Sequence, residues 1–285
     1  MFRDFDSLVS YYEQRLKKKD NFDILKRNLN CGGKRAVMYA VDGLIKDEVL
    51  EKMIEFLLKA TPEQLSPLKT SEEFAEKFIS YIETDITSDD ERAVTSVLSG
   101  MLLLIVEGYK DVFLLDIRTY PARGVEEPGD DRVLRGAHDG FTETLNFNTA
   151  LIRRRIRDAS LIMKHFSVGE KSKTDVVLSY MEERADAGVI KKLTELLSGL
   201  KVNALSLSQA SLNEALVKKG WWYNPFPKVR YTERPDVACA SILDGQVLIL
   251  IDNSPTVIIL PVSVFDFVED ANDYYFPPLV GTYLR

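Results

Sequence analysis

The chain repeats itself. Moved along its own length by about 145 positions, ERAVTSVLSGMLLLIVEGYKDVFLLDI (Glu91 to Ile117) lies on DVACASILDGQVLILIDNSPTVIILPV (Asp236 to Val262) without a gap. Ala93 meets Ala238, Leu98 meets Leu243, Gly100 meets Gly245, Glu107 meets Asp252 and Val112 meets Val257. A second match precedes it at an offset of about 140. There GKRAVMYAVDGLIKDEVLEKMIEFL (Gly33 to Leu57) lies on KTDVVLSYMEERADAGVIKKLTELL (Lys173 to Leu197), pairing Val37 with Val177, Val49 with Val189, Lys52 with Lys192 and Glu55 with Glu195.

Each copy carries the same physical signals. The first block reads as a strand followed by an amphipathic helix, with Val49, Met53, Phe56 and Leu57 spaced to face a core. The second reads as helix, glycine stop, buried strand, turn and buried strand. Gly100 and Gly245 stand where a helix end needs positive φ. EGYKD and DNSPT carry residues that tolerate hairpin turns. The leucine and β-branched runs suit strands covered on both faces. The predicted fold is therefore α/β, with two related subdomains, each a mixed β-sheet packed with helices. The expected boundaries are residues 1–120 for the first, 121–144 for a linker rich in proline, glycine and acids, and 145–270 for the second. Residues 271–285 form a terminal segment.

Composition narrows the function. A net charge of -7 argues against bulk nucleic acid as the main partner, because a phosphate footprint needs a broad basic surface. Only two cysteines occur, Cys31 and Cys239, with no CxxC, so the pattern predicts buried free thiols rather than a disulfide framework or a zinc site. The N-terminal stretch places Phe5, Leu8, Val9, Tyr12 and Leu16 on one helical face and lacks a signal-peptide pattern. The runs MLLLIV and VLILI fall far short of the ~20 residues that cross a bilayer.

Motifs for chemistry are thin. CGGK (Cys31 to Lys34) lacks the first glycine and the Ser/Thr of a phosphate loop, and it reads as a turn before a strand. His138 and His165 have no cysteine or carboxylate at ligand spacing, and His138 in AHDG reads as a turn residue. The aromatics Trp221, Trp222, Tyr223 and Phe226 either stack on a ligand or plug a domain face. In TERPD, Thr232 is the expected helix N-cap, with acids in the first turn and Pro235 near it. No residue set predicts a catalytic group, a metal or a cofactor, and the expectation is a protein that is not an enzyme.

The least ordinary stretch is RGAHDGFTETLNFNTALIRRRIRD (Arg135 to Asp158). A helix is expected from about Leu145, with Leu145, Ala150, Leu151, Ile152 and Ile156 as its apolar stripe. Arg153, Arg154, Arg155 and Arg157 then spread over more than one face, so they make no single basic strip. Three roles compete for them: ion pairs within or between subunits, contact with an anionic lipid surface, and contact with nucleic acid. Arg118, Tyr120 and Arg123, near the expected linker, could line a small-ligand cleft between the two subdomains, since pockets favour domain interfaces.

Together, RGAHDGFTETLNFNTALIRRRIRD, SKTDVVLSYMEE, YTERPDV, DGQVLILIDNSP and the terminal VGTYLR resemble the A-subunit family of bacterial spore germination proteins, closer to its sporulation branch than to its nutrient-receptor branch. The resemblance covers the chain from about Gly33 onward. It implies a cytosolic region of two similar α/β subdomains placed before membrane-spanning helices, which form an oligomeric, pentameric ion channel. It further implies a spore inner-membrane setting with this region on the core side. The partners implied are further copies of the chain and other germination membrane proteins, without nucleic acid. The role is then assembly and gating of a channel that releases ions and amplifies germination. The other implied role is that of a nutrient-receptor A subunit. On this reading FPPLVGTYLR approaches the bilayer, and the membrane part lies beyond Arg285.

Overall fold

The computed structural model describes residues 4–79, 81, 83–120, 139–169, 172–199 and 229–262. The chain divides into two compact units, each built on its own sheet. The first unit opens with α1 (Phe5–Arg15), whose first turn is capped by the Asp4 carboxylate accepting from the Ser7 amide. The hairpin β1 (Ile24–Cys31) and β2 (Lys34–Val41) follows. Next come α2 (Asp47–Leu58), the short α3 (Pro62–Leu65), α4 (Ser71–Phe78), edge strand β3 (Thr84–Thr87) and α5 (Asp90–Leu98). The hairpin β4 (Leu102–Val106) and β5 (Val112–Leu115) closes the unit.

The second unit repeats that order with α6 (Leu145–Arg155), β6 (Leu161–Val168), β7 (Thr174–Met181), α7 (Ala187–Gly199), β8 (Arg230–Thr232), α8 (Pro235–Leu243), β9 (Val247–Ile251) and β10 (Val257–Leu260). The sheets have equivalent strand orders, β1-β2-β4-β5-β3 and β6-β7-β9-β10-β8. Their registers agree residue for residue. Ala36↔Val106 becomes Val176↔Ile251, Leu104↔Phe113 becomes Ile249↔Ile258, and Thr87↔Val112 becomes Thr232↔Val257. A one-residue slip would turn every apolar side chain to the wrong face, so matching registers mean matching cores. The two related α/β subdomains stand as expected. Within them every described ladder is antiparallel, because the centre of each sheet is a tight hairpin and the helical crossovers return their strands reversed.

The duplication extends further upstream than the sequence match. α1 and α6 have the same length and place, although few of their residues agree. The loops after them differ, spanning residues 16–23 and 156–160, and the hairpin turns differ in the opposite sense, 32–33 against 169–173. These compensating changes hide the relationship from ungapped comparison.

Burial follows the repeat. β4 and β9 are buried along their whole length, at about 1.5–3 kcal/mol for each Leu, Ile or Val side chain. One sheet face in each unit carries α2 or α7, and the even residues Val176, Leu178 and Tyr180 meet Leu193 and Leu197 there. Phe56, expected in the core, is 44% exposed and only leans on Phe78. Met53 and Leu57 alone of its stripe are fully covered, since a single twelve-residue helix lying on a sheet buries only a narrow band. Gly100 and Gly245 both take positive φ, +99° and +93°. A Cβ on Gly245 would stand 2.9 Å from the Arg184 carbonyl oxygen, so each unit needs glycine at that corner.

Residues 139–144, placed in the linker by composition, pack on the second unit. Phe141 is 1% exposed, and its amide donates to the Glu233 carbonyl at 2.8 Å. Thr232 belongs to β8 rather than capping α8. The cap is Arg234, and the Thr232 hydroxyl accepts from its amide at 3.1 Å.

Candidate functional site

α6 is a polar-looking helix with almost no free face. Leu145, Asn148, Thr149, Ala150, Leu151, Ile152 and Arg153 are all buried. A helix can hide such residues only where each polar group finds a partner, and here they do. The Asn148 amide oxygen accepts from the Thr142 amide at 2.7 Å, while its nitrogen donates to the Thr142 carbonyl at 2.6 Å. One side chain thereby does for Thr142 what a neighbouring strand would do. The Thr149 hydroxyl donates to the Asn146 carbonyl.

The four arginines go to different places. Arg153 is fully buried, and its Nη1 donates to the Leu161 carbonyl at 3.3 Å. Leu161 begins the edge strand β6, and the carbonyl of its neighbour Ser160 accepts from the Glu182 amide. The Leu161 carbonyl thus points off the sheet, and the guanidinium covers an edge that would otherwise invite another strand. Of the roles weighed for it, Arg153 is turned away from a lipid or nucleic-acid surface: its stem is long enough to cross the packed interface and deliver the charge to a backbone oxygen. Arg155 is a quarter exposed. Its Nη2 bonds both Asp139 oxygens, at 2.6 and 2.5 Å, and its Nη1 reaches the Leu151 carbonyl at 3.2 Å. Arg154 and Arg157 are exposed, and α6 ends before Arg157 because Ile156 turns extended.

A further arginine, Arg234, joins this seam. It is 0% exposed, and it grips Asp236 with Nε at 3.1 Å and Nη2 at 2.6 Å. A cation at a helix start opposes the helix dipole, and Asp236 in the first turn offsets it. Cys239, one turn along α8, sits among these charges. Burial pushes its thiol up to about 12. Arg155 pulls the other way, and Asp236 and Asp139 add to the rise. The second unit thus holds two ion pairs, Asp139–Arg155 at the end of α6 and Arg234–Asp236 at the start of α8, and α8 also carries the buried Cys239. Arg234, Asp139, Asp236 and Asn148 were missed from sequence. Only Asp236 left a signal, in the aligned repeat, where it falls on Glu91.

The expected ligand residues are occupied within the first unit. Arg118 is half-buried and forks onto Asp116, with Nε 2.6 Å from Oδ1. The pair holds the Asp116 carboxyl below its ordinary range and raises the guanidinium, to which Tyr120 adds. Arg123 lies outside the described residues, as do His138 and Trp221 to Phe226. His165 meets Asp175 at 2.9 Å on the exposed side of the β6–β7 hairpin. Lys69, Thr70, Ser71, Tyr109 and Lys110 help to line a groove of about 400 Å3 at the start of α4. Its helix-end amides are already bonded: Thr70 accepts from the Glu73 amide, and Glu73 accepts from the Lys69 and Thr70 amides. Among the described residues no group of three or more metal-ligating side chains converges, and no helix is long and apolar enough to cross a membrane.

Fold and seam together define a duplicated α/β domain of two homologous units, the second locked by guanidinium groups on carboxylates and on an edge strand. Residues 10–285 match the family model of the Bacillus/Clostridium GerA spore germination protein, and the chain belongs to that family. It is 37% identical to stage V sporulation protein AF of Bacillus subtilis (strain 168) over 96% of its length and 55% of the relative's. It is 30% identical to spore germination protein XA of Bacillus anthracis over 85% of its length and 47% of that protein's. The chain thus spans about half the length of these relatives. Among solved structures, it resembles the N-terminal domain of the A subunit of the Bacillus megaterium spore germinant receptor GerK3. The TM-score is 0.69 at 22% identity, covering 92% of this chain and 96% of that one, a likeness of fold.

Proposed function

We propose that this chain is the cytosolic part of a spore inner-membrane germination protein and serves assembly and gating of an oligomeric ion channel. Opening of that channel releases ions and amplifies germination. The observation that carries this reading is the continuous relationship to a stage V sporulation protein over nearly the whole chain. The partners are further copies of the chain, as a pentamer, and other germination membrane proteins. An anionic membrane surface is available to Arg154 and Arg157, the two exposed arginines of the strip. Deleting the coding sequence in the sporulating host, then following ion release and germination kinetics, tests it. Slowed release is expected, and kinetics identical to the parent strain would overturn the proposal. A second measurement is cross-linking in spore membranes, where an exclusively monomeric protein would exclude the assembly role.

The fold likeness to a receptor A-subunit domain favours a second reading, a nutrient-receptor A subunit with a small-ligand site. Thermal-shift screening against amino acids and sugars separates the two. Stabilisation that Arg118→Ala abolishes supports the receptor, and a flat response across the panel returns the balance to the channel.

A further inference from the structure

The internal duplication shows one arginine in two bonding states. In the first unit Arg15, in the last turn of α1, bonds Glu91 in the first turn of α5 at 2.5 Å. Arg155 stands at the same place in α6, and Asp236 at the same place in α8. Yet Arg155 bonds Asp139 instead, while Asp236 is held by Arg234. The Asp139 that Arg155 holds belongs to residues 139–144, which lie over the second unit ahead of α6.

Those residues form no helix or strand and are held chiefly through side chains. Arg155 takes the Asp139 carboxylate, and Asn148 takes both backbone groups of Thr142. The Phe141 amide bonds the Glu233 carbonyl, and the Glu143 carbonyl accepts from Asn253. None of these bonds belongs to the β6–β10 ladders, so all can break with the sheet intact. The Asp139–Arg155 pair is partly exposed on both sides, so water can enter as it parts. A released guanidinium has a second carboxylate to turn to, because Asp236 stands in the first turn of α8 where Glu91, in the first turn of α5, takes Arg15.

We propose that residues 139–144 are a strap that opens and closes as one unit, with Arg155 as its partner-swapping positioning residue. Closed, Arg155 holds Asp139. Open, it takes Asp236, as Arg15 takes Glu91 in the first unit. The order of α6 and its contact with α8 then depend on whether the strap is down. This goes beyond the channel reading and stands without it.

Two measurements on the 285-residue chain test the strap. In amide hydrogen exchange, Asn148→Ala and Asp139→Ala should each speed exchange from Phe141 to Asn148 by about tenfold, the loss expected for one or two hydrogen bonds, and leave β7 and β9 unchanged. Unaltered exchange over those residues, or an equal acceleration across the whole second unit, would overturn the strap. If Asn148→Ala does not fold, Asp139→Ala carries the same test from a partly exposed position. In that variant the NMR signal of the Arg155 Nε–H should shift yet stay protected from solvent, because Asp236 has taken it. Exchange as fast as that of an exposed arginine would sink the swap.

Discussion

The two units share strand order and register but fill the sheet face beneath α1, or beneath α6, with different chemistry. In the first, Tyr12 of α1 and Tyr39 of β2 lie 6.4 Å apart, and the Tyr12 hydroxyl donates to Asp90 at 2.9 Å. In the second, the same positions hold Ile152 and Ser179, both fully buried. The first unit fills this volume with aromatic rings. The second has smaller side chains there and admits Arg153 and Arg234 as two of its largest buried side chains. Even the task of holding the edge strand is shared and solved twice. Glu13 reaches Lys26 of β1 at 2.5 Å on the surface, and Arg153, at the equivalent helix position, caps the Leu161 carbonyl from within. A duplicated backbone fixes where a contact is needed, while the kind of contact stays open.

The sharpest way to break this comparison is to remove the equivalent helix residues. Arg153→Ala should destabilise the second unit by about 4 kcal/mol, since it leaves a buried carbonyl and its neighbouring groups without their cation. Glu13→Ala should cost about 1 kcal/mol, the upper end for a pair that is still partly exposed. Urea unfolding of each variant measures both. Equal losses would mean that the two edge contacts are energetically alike. Arg153→Met adds a discriminating arm. A buried ion replaced by an apolar stem of similar length should recover part of the loss, and no recovery would show that the charge itself is required.

Next in size is the aromatic core. Tyr39→Ser gives the first unit the residue that the second carries at Ser179, without the arginines that compensate there. The cavity should cost about 3 kcal/mol, read as a lower urea midpoint with unchanged slope. A loss under about 1 kcal/mol would show that the ring is dispensable and the contrast between the cores superficial.

The repeat made the fold legible, because glycine stops, hairpin turns and all-apolar strands are local signals that survive divergence. Gly100 and Gly245, or LLLIV and VLILI, announce themselves. The seam did not, because its members lie far apart in sequence and none is unusual alone. Arg153 reads as one of four surface arginines, and only the position of β6 shows which of them turns inward. Arg234 hides beside a proline in TERPD, where the first guess is a Thr cap. α1 and α6 matched in structure while their residues disagreed, since a tyrosine pair and a buried guanidinium leave no common pattern.

A smaller effect of opposite sign comes from Ser179. Its hydroxyl is buried on β7 without a hydrogen-bond partner, whereas the Tyr39 hydroxyl at the equivalent place reaches the Val9 carbonyl at 3.4 Å. Ser179→Ala should leave stability unchanged or raise it by up to about 1 kcal/mol, because a desolvated hydroxyl disappears. Thermal unfolding decides this, and a clear loss would reveal a partner such as a bound water.

The smallest expected effect compares the residues that follow β2 and β7, Asp42 and Glu182. Asp42 is half-buried, and burial chiefly raises its carboxyl above the ordinary 3.8, with Asp47 and Asp23 adding to the rise and the Gly43 amide opposing it. Glu182 is exposed. A carboxyl raised in the folded state binds its proton more tightly there than in the unfolded chain. Its stabilising contribution is complete below pH 3.8 and is lost as pH rises through the higher folded value. Above that window the buried charge works against the fold. Asp42→Asn should therefore be more stable than the parent at pH 7 and indistinguishable from it below pH 3.8. Urea midpoints across that range test the sign. If Asp42→Asn loses stability at neutral pH, the carboxylate is making a bond that outweighs its burial, and the two positions differ in bonding rather than in exposure.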